Sequence, residues 1–306
     1  MQSVKLLILP FIISLNAISQ NDSLRFFEKD NTFNATRFYI TTGGIVAGTS
    51  TSLIMLNELW YKGYPRSSFH TFNDNDEWLL MDKIGHATTA YTVGYVGHNV
   101  LQWSGVEDKK ALWYGGTMGL VYLTGIEMLD GFSAQWGFSI GDMAANISGS
   151  AMYIGQELLW KEQRFHLKFS AHLSAYAQYR PNVLGSSFNE RLLKDYNGQT
   201  YWLSANIASF LGNDTHFPKW LNLAFGYSGE EMLKGDEPLY TVFDGKEFIV
   251  FNAYRQYFLS LDVDLSKIKS KSRFLNTVLG TINYLKIPFP AVEFSKHGLQ
   301  GKLFYF

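Results

Sequence analysis

Between residues 82 and 146 a small set of polar and ionisable side chains interrupts otherwise apolar segments. Asp82, Lys83 and His86 open one segment, and Asp82 and His86, four residues apart, share a face if it is helical. Glu127 and Asp130, three apart, share a face at the end of the next. Ser139 is placed to cap a third helix, with Asp142 three residues on, as in a capping box with Asp replacing Glu. Asn146 continues the Asp142 face. An imidazole beside carboxylates can move a proton, so His86 is the candidate general acid or base, with Glu127 or Asp130 tuning its pKa. Lys83 would meet an anionic head group.

Each residue also has a plain structural role. Asp82 and Asp142 complement helix dipoles, Lys83 can snorkel to a membrane surface, and Asp130-Gly131 is an ordinary turn signal. The set has a stronger argument than its members. An ionisable group in a lipid-buried helix costs several kcal/mol unless it is paired or wet, so these groups are expected to converge.

His86, Glu127, Asp130 and Asp142 are acceptable metal-ligand types, yet their spacing specifies no site. His98, twelve residues after His86, is too far along a helix to share a metal with it. Neither a metal nor a cofactor is expected. The chain lacks a phosphate loop, a dinucleotide fingerprint, an H-E-x-x-H motif and a G-x-S-x-G elbow. The 306 residues contain no cysteine, which excludes disulfides, thiolate chemistry and an acylated lipobox cysteine. A formal net charge of −1 gives no electrostatic basis for nucleic-acid binding.

The elements that must position the cluster are helices. Residues 1–20 read as a signal peptide: Lys5, the apolar run Leu6 to Leu15, then Ala17-Ile18-Ser19. Four helix candidates follow within 36–161: Thr36 to Tyr61, Asp82 to Trp103, Ala111 to Met128 and Gly141 to Trp160. Thr36 to Tyr61 is long enough to cross a membrane. Gly44-x-x-x-Gly48 and Gly115-x-x-x-Gly119 carry the small-residue spacing that lets helices approach closely in a bilayer. Lys62 to Trp78 reads as a loop.

Residues 162–306 read as β. Phe165 to Ser170, Tyr201 to Leu211, Lys219 to Tyr227 and Tyr254 to Leu265 are strand candidates. In the last of these Tyr257, Leu259, Leu261 and Val263 face one way, with Gln256, Ser260 and Asp262 opposite. Lys271 to Lys286 spaces Phe274, Val278, Ile282 and Leu285 as an amphipathic helix, either interfacial or core-facing. The fold class is therefore α+β: a four-helix membrane-compatible bundle, then an aromatic-rich antiparallel β half. The alternative is a β-barrel with a helical plug: the chain closes on the aromatic Phe304-Tyr305-Phe306, but counting back by twos from Phe306 reaches Lys302 and Gln300, which breaks the apolar stripe a lipid-facing strand needs.

Asp82-Lys83-x-x-His86, Glu127-x-x-Asp130 and Trp136-x-x-Ser139-x-x-Asp142, in that order, resemble the YfiM-like family of bacterial envelope proteins. Asp142-x-x-x-Asn146-x-x-Gly149 is similar to the last helix of VanZ-like membrane proteins. The resemblance spans residues 78–155 and implies a compact envelope helical domain without an assigned activity. The chain departs from it in lacking a lipobox cysteine and in adding the helix at 36–61 and the β half. The expected protein is exported and membrane-associated, at the outer membrane or the periplasmic face. Its expected partners are membrane lipid and other envelope proteins. Whether it is an enzyme stays open: a structural or lipid-binding role stands beside an enzyme acting on an envelope lipid or lipid-linked sugar through His86.

Overall fold

The computed structural model describes residue 29, residues 32–212 and residues 216–305. The signal-peptide reading of residues 1–20 and the terminal Phe306 lie outside the described residues.

Asn34 caps the first helix, accepting the Arg37 amide at 3.0 Å, and α1 runs Ala35–Leu56 before a π-helical turn to Tyr61. None of its residues is buried, and among the described residues it is the helix long and apolar enough to cross a membrane. A two-residue strand β1 (Thr71–Phe72) pairs in parallel with β2 (Phe138–Ser139), drawing the 62–78 loop against the entry to the last bundle helix. Trp78, Leu79 and Leu80 then take positive φ in succession, 47°, 53° and 69°, before α2 (Met81–Trp103) begins. Such a left-handed run costs energy at every non-glycine residue, so tertiary contacts must hold it.

The expected third helix is broken. A short α3 (Asp108–Lys110) passes into a π-helical turn, and α4 (Met118–Asp130) starts afresh after Thr117. Ser139 does cap α5 (Ile140–Trp160), accepting the Asp142 amide at 3.0 Å. The reciprocal half of a capping box is supplied from elsewhere, because the Ser139 amide donates to Glu127 Oε2 at 3.0 Å rather than to Asp142. Helices α2, α4 and α5 approach through glycine. A Cβ at Gly149 would meet the Ala87 carbonyl at 2.0 Å.

Gln156 and Gln163 tie the bundle to the β half. Gln156 Oε1 accepts the Arg164 and Phe165 amides, while Tyr91 donates to Gln163 Oε1 and to the Phe165 carbonyl. Strand β3 (Phe165–Ala171) pairs with β4 (Gln199–Asn206), after the short helices α6 (Pro181–Leu184) and α7 (Phe188–Lys194). Next come β5 (Leu221–Glu230), the separate hairpin β6 (Leu239–Phe243) and β7 (Phe248–Asn252), and β8 (Tyr254–Val263). Helix α8 (Arg273–Thr281) precedes β9 (Phe289–Ser295) and β10 (Gly298–Tyr305). The main sheet is antiparallel, in the order β10-β9-β8-β5-β4-β3. Its outer strands β3 and β10 do not pair with each other, so the described strands form an open sheet rather than a closed barrel with a helical plug. The sheet nevertheless curls until the Tyr305 ring stacks on Phe258 at 4.1 Å, and Leu285 bridges to Phe169 of β3.

The polarity of this sheet is inverted relative to a water-soluble one. Along β8, Gln256, Phe258, Ser260 and Asp262 are buried, while Tyr257, Leu259 and Leu261 are exposed. The same alternation runs through β4 and β5, where Ser204, Asn222 and Ala224 lie inside and Leu203, Leu223 and Phe225 outside. The concave side holds an ion pair, Lys168 Nζ to Asp262 Oδ2 at 2.7 Å, with both side chains at 0% exposure. Helix α8 follows the rule: Asn276 and Thr277 are buried and Phe274 is exposed, so it presents no apolar face to a core. It is also shorter than the 271–286 helix expected, ending at Thr281.

Candidate functional site

Lys83 is the hub of the bundle's polar interior. Its ammonium lies 2.7 Å from Asp74 Oδ1, 2.9 Å from Asp82 Oδ2 and 3.0 Å from Asp142 Oδ1. Residues from the loop, from the first turn of α2 and from the first turn of α5 therefore meet at one cation. Asp74 also accepts the Ser139 hydroxyl at 2.6 Å. One turn further along α2, His86 Nδ1 lies 3.0 Å from Asn146 Oδ1. Since that oxygen only accepts, Nδ1 carries the proton and Nε2 faces the carboxylates. Nε2 is 3.7 Å from Glu127 Oε1 and 4.0 Å from Asp142 Oδ1.

Burial sets the electrostatics. It pushes the Glu127 carboxyl up to about 8 despite the Ser139 amide, and the charges of Asp142, Asp130 and Asp74 add to the rise. Asp82 and Asp142 are raised by burial too, with Lys83 pulling against the rise in both. Burial opposes the charge on Lys83, yet Asp82, Asp74 and Asp142 together hold its ammonium above the ordinary range. Within that range of contacts the arrangement can do two things: pass a proton between His86 and a carboxylate, or hold a cation.

Asp82, Lys83, His86, Glu127, Ser139, Asp142 and Asn146 are thus brought together. Asp130 is not part of the group. It accepts the Tyr61 hydroxyl at 2.7 Å and ties the end of α1 to α4, and burial raises its carboxyl to about 7 against that hydrogen bond. Asp74 is the residue that sequence reasoning missed. It sits in the polar 62–78 loop, and only the β1–β2 pairing carries that loop to Ser139 and Lys83. An Asp in an Asn-Asp run is an ordinary loop residue, so no local signal distinguishes it. His98 stands apart, its Nδ1 2.7 Å from the Tyr153 hydroxyl.

His86 keeps about a fifth of its side-chain surface, whereas Glu127 keeps 2%. Two cavities lie elsewhere: one between α2 and α8 beside Tyr95, Asn99 and Thr277, the other beside His166 and Asn283. Neither includes His86.

Residues 70–155 match a family described as "Predicted periplasmic lipoprotein (DUF2279)". The matched stretch contains every member of the cluster, Asp74 included, and the description names no activity. The chain has no cysteine to carry the lipid that the description implies. No curated protein and no solved structure matches. The chain is therefore a bacterial envelope protein in which residues 70–155 are similar to that periplasmic family.

Proposed function

We propose that this protein works seated in an envelope membrane, as a non-catalytic lipid-contacting element whose buried charges fix the packing of its helices. The observation that carries the reading is the inverted sheet. Strands β4, β5 and β8 turn Leu, Phe and Tyr outward and Ser, Asn and Asp inward. In water this pattern wastes apolar burial; against hydrocarbon it is the favourable one. Helix α1 is likewise apolar and exposed, with Tyr39, Ile40, Val46 and Ile54 more than half exposed.

The absence of cysteine allows a direct test. Single cysteines at Phe225, Leu259 or Leu261, in protein reconstituted into vesicles, should resist a membrane-impermeant maleimide and react once detergent is added. A cysteine at the exposed Arg255 should react throughout. Equal labelling of all four sites in intact vesicles would count against the lipid seat, and protection that depends on protein concentration would point to a second copy instead.

A second reading, an enzyme acting on an envelope lipid or lipid-linked sugar, rests on one observation. His86, beside two carboxylates, is more accessible than Asp74, Asp82, Lys83, Glu127 or Asp142. It requires His86→Gln to reproduce the lipid profile of a deletion strain while the variant stays folded. A stable His86→Gln protein that restores the wild-type profile would remove it.

A further inference from the structure

The charges around Lys83 do not balance. One ammonium serves Asp74, Asp82 and Asp142, and Glu127, 2% exposed, lies next to them with the His86 ring nitrogen 3.7 Å from its Oε1. Two further details point to where positive charge is wanted. Asp142, 5% exposed, directs Oδ1 into the cluster; Lys83 Nζ lies 3.0 Å away, but no hydrogen bond reaches that oxygen. His86 turns Nε2 toward Glu127 and Asp142 at 3.7 and 4.0 Å, too long for hydrogen bonds.

We infer that His86 Nε2, Glu127 Oε1 and Asp142 Oδ1 form a binding site for a divalent transition-metal ion of the zinc class. The three ligand groups lie within 4.8 Å of one another. Bonds of about 2.0–2.2 Å to nitrogen and carboxylate oxygen close that span with small side-chain rotations. The donor set chooses the metal: imidazole with carboxylates suits zinc or manganese, while magnesium and calcium favour oxygen alone.

Two of the three ligands are already oriented by a partner that is not a ligand. Asn146 Oδ1 meets His86 Nδ1, and the Ser139 amide holds Glu127 Oε2. Such supporting contacts set ring orientation and ligand basicity at metal sites. The companion trio Asp74, Asp82 and Asp142 is as compact, but the Lys83 ammonium already lies within 3.0 Å of all three. Three protein ligands leave a coordination position free, and His86 is where the cluster reaches the surface.

The site is independent of the lipid seat, because it lies inside the bundle and its test needs no membrane. The full chain, purified in detergent without a polyhistidine tag and stripped with chelator, is titrated with Zn2+ by calorimetry and with Co2+ by visible absorption. Saturable binding of both ions is expected, with Mg2+ and Ca2+ failing to compete. His86→Gln should abolish it, and Asn146→Ala should weaken it by about 10–100-fold. Asp130→Asn should bind as the wild type does, since Asp130 sits with Tyr61 instead. If His86→Gln does not fold, the Co2+ spectrum of the wild type decides: bands of low-symmetry nitrogen-containing coordination support the site, and a spectrum of hexaaqua Co2+ overturns it. Wild-type affinity in a folded His86→Gln variant, or no saturable heat with Zn2+, would also overturn it.

Discussion

At the scale of single residues, the protein places its charges where water-soluble folds place leucine. Lys168 and Asp262 are fully buried and paired at 2.7 Å, and Asp262 also accepts the Ser204 hydroxyl at 2.7 Å and the Ile287 amide at 3.2 Å. Removing one partner leaves a buried charge alone, which costs about 3–5 kcal/mol, whereas replacing both with apolar groups is often neutral. Lys168→Met should therefore lower the denaturant midpoint strongly, and the double variant Lys168→Met, Asp262→Leu should recover most of the loss. A double variant no more stable than Lys168→Met would show that Asp262 is needed for its Ser204 and Ile287 contacts alone. The same reasoning separates Asp74 from Asp130. Both are acidic residues, one in a loop and one at the end of α4, yet the first completes the Lys83 group and the second holds the Tyr61 hydroxyl.

At the scale of elements, glycine decides how close the helices come. A methyl at Gly149 would lie 2.0 Å from the Ala87 carbonyl, a backbone atom that cannot rotate away. That contact also sets the spacing of the cluster, because Asn146 and Asp142 precede Gly149 on α5 and His86 adjoins Ala87 on α2. Gly149→Ala should destabilise by at least about 2 kcal/mol, as overpacking against a fixed neighbour does. Gly155→Ala in the same helix meets nothing within 4 Å and should stabilise by about 0.5–1 kcal/mol through helix propensity alone. Melting temperatures of the two variants check the contrast; equal shifts would mean that helix propensity, and not the approach of α2, governs both positions.

At the scale of the whole molecule, the question is which solvent the fold was built for. Among the described residues the buried polar side chains outnumber the buried apolar ones, while Phe225, Leu299 and Leu303 stand more than half exposed. Leu261→Arg puts a charge on the convex face of the sheet without touching its interior. Against hydrocarbon an arginine costs about 2–4 kcal/mol at mid-depth. The variant should shift from the membrane fraction toward the soluble one while keeping the wild-type circular dichroism spectrum in detergent. Unchanged membrane retention would place that face in water.

The sequence alone determined the chemistry and the element types. The Asp82-Lys83-x-x-His86 spacing, the Ser139 cap and the period-two alternation of Tyr254 to Val263 are local patterns, set by helix and strand geometry within a few residues. The tertiary structure decided three other matters. It recruited Asp74 through a strand pair between residues far apart in the chain, and it sent Asp130 to Tyr61. It also turned the polar face of the sheet inward. Alternation shows that a strand has two faces, but which face is buried depends on the medium outside and on how far the sheet curls. Neither of these is written in any single segment.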